Sequence, residues 1–296
     1  MTGGWIDLER APFSSRDEGR SAGGGGSNTP ISLAIDRLQV TQELSLSRFQ
    51  GRFDTLGGFN GSFTGNLNTL TPVEGVVVPQ AGGLAMRLRS ADAGGVFRAA
   101  EVMRDGYGGS FEMTMVPAVQ PGEYNGQLRV NNIRVKNTPT IAALINSLSL
   151  VGLFDELSGQ GILFTSMEAD FRLGSRYLTL VNSSAVGPSI GLSMDGVYDL
   201  TTSQMNMRGV LSPIYLVNAI GSVLTRKGEG VIGFNYTLTG PASAPGVQVN
   251  PLSGLAPGMF REIFRGAPPT TTDGTVPQKR EPRTAPDPQD GSAGGR

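Results

Sequence analysis

Apolar and polar residues alternate with a period of two through most of this chain, and a period near 3.6 interrupts them in a few places. The two patterns meet between Thr138 and Leu173. Thr138 stands where a helix cap belongs and Pro139 where a first turn tolerates proline. Ile141, Leu144, Ile145 and Leu148 then recur on one face, with Asn146, Ser147 and Ser149 opposite. This spacing predicts an amphipathic helix over 138–157. Past Gly159 and Gly161 the period becomes two. Met167, Ala169, Phe171 and Leu173 point one way, and Glu168, Asp170 and Arg172 the other.

The same alternation predicts strands along most of the chain. Ile31, Leu33 and Ile35 open the series, with Leu44 and Leu46 further on. Phe59, Gly61, Phe63, Gly65 and Leu67 share a face opposite Asn60, Ser62, Thr64 and Asn66. GGFNGSFTGN has the look of a phosphate loop, but no Walker order and no helix start follow, so it reads as a strand. Further strands are expected around Leu84–Leu88, Phe111–Met115, Tyr124–Val130, Tyr177–Asn182, Ile190–Met194, Met205–Gly209 and Ile232–Leu238. Gly174–Arg176 reads as a tight hairpin turn. Three further helices are expected: 91–103, with Val96, Ala99, Ala100 and Met103 inward; 213–224, started by Ser212-Pro213; and Pro257–Arg265.

Roughly a dozen strands joined by short turns predict a mainly β fold. The expected form is a long curled antiparallel sheet, about 55 Å wide at ~4.8 Å per strand, with a few short amphipathic helices. The helices are too few to cover a whole sheet face. Either a second sheet layer covers it, as in a sandwich, or an apolar trough stays partly open for a ligand. Residues 1–29 read as a linker with a strand remnant at Trp5, Ile6 and Leu8. Residues 30–265 form the β-rich domain, and 266–296 a Pro-, Thr- and Gly-rich disordered tail.

Composition narrows the chemistry. The 296 residues carry a net charge of −1, which leaves no electrostatic footprint for nucleic acid. With no Cys there is neither disulfide nor thiolate, and with no His the commonest general base and metal ligand are missing. Asp155/Glu156 are neighbours at a helix end and Glu168/Asp170 lie on a solvated strand face, so neither pair reads as a catalytic dyad. No G-x-S-x-G elbow, EF-hand spacing or cofactor motif appears, and no catalytic, metal or cofactor residue is assigned. No apolar run approaches the ~20 residues of a membrane-spanning helix. The N-terminus has no signal-peptide core. Taken literally this gives a soluble cytoplasmic chain; the other reading is the C-terminal part of something larger with its targeting segment upstream.

Four pieces carry a family resemblance: DAGGVFRAAEVM (Asp92–Met103), the TPTIAALINSLSLVGLFDELSGQGILF unit, GPSIGLSMDGVYDLTTSQMNMRGVLSPIYLVNAI (Gly187–Ile220) and NPLSGLAPGMFREIF (Asn250–Phe264). In their order they resemble the C-terminal region of YhdP-type proteins of the AsmA-like superfamily, over about residues 30–265. The resemblance implies a bridge-like lipid conduit in the Gram-negative cell envelope. Such a protein is anchored in the inner membrane by a segment absent here, and its curled sheet crosses the periplasm. Its apolar groove carries phospholipid acyl chains towards the outer membrane. No catalytic residue comes with the family.

On that picture, alternation puts Met86, Leu88, Met113, Met115, Leu128, Met167, Phe171, Leu173, Met205, Met207, Ile232, Phe234 and Tyr236 on the groove side. The helix at 257–265 would touch a membrane surface, the outer membrane by analogy, through Met259, Phe260 and Phe264. The expected partners are phospholipid, that membrane surface and an envelope protein. Two other readings keep the alternation: a scaffold that assists outer-membrane protein assembly without carrying lipid, and a transmembrane β-barrel.

Overall fold

The structure, a computed structural model, describes residues 3–7, 30–41, 43–55, 58–148, 151–213 and 233–250. Strands β1 (Trp5–Asp7), β2 (Ile31–Gln39), β3 (Ser45–Asp54), β4 (Asn60–Leu67), β5 (Thr71–Gln80) and β6 (Gly83–Ser90) lead into helix α1 (Ala93–Ala99). The short β7 (Gly106–Tyr107), then β8 (Ser110–Pro117) and β9 (Tyr124–Val135), precede helices α2 (Pro139–Ser147) and α3 (Val151–Ser158). The chain continues through β10 (Ile162–Leu173), β11 (Tyr177–Val186), β12 (Ile190–Asp199), β13 (Gln204–Pro213), β14 (Phe234–Pro241) and β15 (Gly246–Asn250).

Among the described residues all fifteen strands belong to one sheet in simple chain order, with β7 alone off the path, paired to β9. Pairing is antiparallel throughout except for β1, which runs parallel to β2 with Trp5 opposite Arg37. The sheet keeps two edges, β1 and β15, and is not closed into a barrel. The expected curled antiparallel sheet is the fold, and no second sheet is stacked on it among the described residues.

Register aligns the apolar sets of successive strands on one face. Phe63 stands opposite Gly75, and Gly75 opposite Leu88. Leu88 faces Met113, Met113 faces Leu128, and Leu128 faces Ala169. Irregularities interrupt the two-residue period at several places. Arg48 (φ 51°) sits in the register shift of β3, and Asn132 (φ 56°) between Val130 and Ile133 of β9. The register also shifts at Asp170/Phe171 and Leu180/Ser183. Such bulges raise local twist and bend strands, which is how a sheet this wide curls.

Several elements depart from expectation. The helix expected over 138–157 is two helices, α2 and α3. Thr138 is in the cap position of α2, but its hydroxyl donates to the Lys136 carbonyl (3.2 Å) and caps nothing. The helix expected over 91–103 ends at Ala99. Glu101 takes the left-handed conformation (φ 55°), and the Val102 N–H bonds the Phe97 carbonyl (3.0 Å), a closing turn that needs no glycine. Ala100, expected inward, is therefore an exposed cap.

Ser212 and Pro213 do not start a helix but end β13, opposite Gly191 and Ile190. Proline is tolerated there because the ladder stops. The rest of the helix expected at 213–224, Ile232, the 257–265 helix with Met259, Phe260 and Phe264, and the tail from 266 lie outside the described residues. Strands β5, β7 and β15 are additions to the expected set.

Candidate functional site

The apolar face is graded along the strands. All three helices join strand ends on the same side of the sheet, and there the inward residues are sealed. Phe111, Val130, Ile133, Val135, Ile162, Phe164, Ile190 and Leu211 are each at most 5% exposed. From α1, Val96 and Phe97 enter this core, Phe97 meeting Phe111 edge-on at 5.9 Å between ring centres. Leu144 and Ile145 of α2 and Leu157 of α3 complete it. Asn68 ties the α1 end to the sheet, accepting from the Ser45 N–H (2.9 Å) and donating to the Ala99 carbonyl (3.1 Å).

Helix α2 also packs against β15, the far edge strand. In a flat sheet β15 would stand about 29 Å from β9, roughly twice the ~13 Å length of a nine-residue helix. Rolling of the β9–β15 half around α2 brings the two together.

Towards the opposite strand ends the same face opens across β6 to β10, while Phe53, Met207 and Leu238 keep it closed at β3, β13 and β14. Leu128, two residues from sealed Val130, is half-buried, and so are Met86, Leu88, Met113, Met115, Met167, Phe171, Leu173 and Met205. The candidate groove residues in the described segments thus share one continuous face. Met207 and Tyr236 on it are buried and Phe234 is half-buried at the helix end, so these three belong to the packed part.

Aromatic rings on this face lie flat on glycines of neighbouring strands. A Cβ on Gly126 would overlap the ring of Phe171, and one on Gly75 the ring of Phe63. Tyr236 lies across Gly209, whose Cβ would fall 2.7 Å from the Tyr236 hydroxyl. That hydroxyl donates to the Ser193 carbonyl (2.9 Å) two strands away. Rings laid down in this way line a surface without filling the space above it. A sandwich core needs the reverse, side chains standing up to meet a facing sheet. The glycine–aromatic pairing escapes sequence reading, because it depends on register between strands.

Around the middle of β6 and β8–β10 the other face is polar, whereas on β12–β13 it carries the buried Val197 and Val210. Arg87 and Arg89 both pair with Glu112 (3.5 and 3.1 Å), and Gln127 donates to Asp170 (3.2 Å). Arg87, Glu112, Gln127 and Asp170, with Arg129 and Glu168, line a shallow dish of about 440 Å³. Glu168 and Asp170 stay on this face, as alternation predicts, while Glu156 on α3 accepts from Ser189 (3.0 Å). Among the described residues no acidic cluster is placed to hold a metal ion. No described helix is long and apolar enough to cross a membrane. No family model, no curated protein and no solved structure matches this chain.

Proposed function

We propose that this chain is the C-terminal part of an AsmA-like envelope protein whose trough shields phospholipid acyl chains between the inner and outer membranes of a Gram-negative bacterium. The observation that carries the reading is one apolar face, continuous from β2 to β15 and half-open away from the helices, with no second sheet over it among the described residues. Each acyl CH₂ withdrawn from water contributes ~0.8 kcal/mol without a fixed polar contact, so a chain is held yet slides. Methionines suit such a wall, since a thioether adapts to varied chain shapes. The role invokes no catalytic residue and no cofactor. Envelope location, an upstream inner-membrane anchor and an envelope protein partner come with the AsmA-like resemblance.

The test is lipid extraction from the purified protein, with Leu128→Asp as the variant. Leu128 is partly exposed, and the near-ultraviolet circular dichroism of the variant checks its fold. Phospholipid is expected with the parent and lost with the variant. A lipid-free parent, folded and purified without detergent, would favour the assembly scaffold instead.

A further inference from the structure

The strand ends away from the helices carry a rim with unusual chemistry. Residues 75–86 (GVVVPQAGGLAM) and 113–122 (MTMVPAVQPG) hold no charged side chain. With Glu123, whose carbonyl accepts from the Ala118 N–H (2.8 Å) to close the second turn, they form the hairpin tips of β5–β6 and β8–β9, which are neighbours because β6 pairs β8. The β3–β4 turn joins them: a Cβ on Gly58 would lie 2.7 Å from Pro79, and one on Gly82 3.6 Å from Pro117. Three tips therefore stand side by side.

Both sheet faces are apolar at this rim. Leu84 continues the trough face, while Val78 and Val116 occupy the other face above Val76, which stands opposite Arg87, and above Glu74, Arg89 and Glu112 further down. These four apolar residues are 37–46% exposed, and Val119 at the β8–β9 tip is fully exposed. Water is a poor solvent for such a rim, and a protein partner would find few handles on it. Protein interfaces concentrate binding energy in Trp, Tyr and Arg anchors with matched polar rims, and these tips offer neither. A rim built mostly of Val, Pro, Gly and Ala, with Glu123 and Arg87 as its charged neighbours and a half-buried tyrosine (Tyr124) beside it, suits the region just under lipid headgroups.

We propose that the β5–β6 and β8–β9 hairpin tips dock on a lipid bilayer by shallow apolar insertion, setting the mouth of the trough against the membrane. This deepens the conduit reading and rests on it for its purpose, since the trough opens at the same rim. Docking is driven by apolar area rather than by attraction to anionic lipid, so neutral vesicles suffice and salt does not reverse it.

The experiment is flotation of the full chain with phosphatidylcholine vesicles at low and high salt, beside Val78→Asp/Val119→Asp. Both positions are exposed and outside the trough, and the near-ultraviolet circular dichroism of the variant checks its fold. The parent is expected to float equally at both salts, and the variant to lose at least about tenfold in partitioning. A parent that stays in solution, or a variant that floats as well, overturns the proposal. So does a variant whose self-association changes in sedimentation while its flotation does not, which would make the tips a protein contact. Phospholipid extracted from a non-floating variant would show the trough reading intact; absence of lipid from a parent that floats would sink that reading alone.

Discussion

Phe171 lies flat over Gly126, directly opposite on the neighbouring strand, so that the ring occupies the space a Cβ would take. The pair lowers the floor of the trough at mid-sheet. Gly126→Ala is expected to force the ring off its seat at a cost of ~1–3 kcal/mol, the usual range for overpacking. Phe171→Leu/Gly126→Ala should recover part of that loss, because the two sites share one space. Urea denaturation of both variants and the double variant reads the coupling; strict additivity would contradict the packing.

Tyr236 makes the same kind of contact with a polar tether. Its hydroxyl donates to the Ser193 carbonyl across Gly209, in a site 4% exposed. Tyr236→Phe keeps the ring and removes the bond, so a loss of about 0.5–1.5 kcal/mol is expected in chemical denaturation. Lipid extracted from this variant should match the parent.

The graded face predicts a graded response to truncation. Ile145→Ala in α2 and Ile133→Ala in β9 empty fully sealed sites and should each cost about 2–5 kcal/mol. Met113→Ala, at a half-exposed site, should cost clearly less. Equal costs at the three positions, measured by denaturation, would mean the open end is packed like the helix end.

Asp199 predicts the acid response. Burial works to raise its carboxyl, but the N–H groups of Thr202 and Thr201 (3.0 and 2.8 Å) and the Arg176 guanidinium (3.1 Å) outweigh it and hold the carboxyl below the usual carboxylate range. A carboxyl depressed on folding contributes stability that is fully present above its unfolded pKa, about 4, and is lost as pH falls through the depressed folded value. Asp199→Asn is expected to flatten the decline in thermal stability below about pH 4. A variant with the parent's acid slope would place that decline elsewhere.

Much of this architecture is legible in the chain because a two-residue period has one reading at each strand. Met167 to Leu173 alternate as written, and Asn60–Leu67 is strand β4. Strand β5 hides because Pro72, Pro79 and the Val76–Val78 run blur the alternation, and β15 because GVQVN is only five residues long. Ser212-Pro213 misleads because the same pair that opens a helix also closes a strand. The end of α1 depends on a left-handed Glu101 that composition does not announce. For the trough, the apolar set was legible. Its gradient from sealed to open was not, because that depends on where α1, α2 and α3 pack.

The central claim is that the half-open face meets acyl chains, and in-cell photocrosslinking tests it most directly. Probes belong at Met113 and Phe171 on the trough face, with controls at Asp170 and Arg172 on the polar face. The account predicts phospholipid adducts at the first pair and none at the second. Adducts at neither pair in the folded protein, or equally at both, would contradict a lipid-bearing trough.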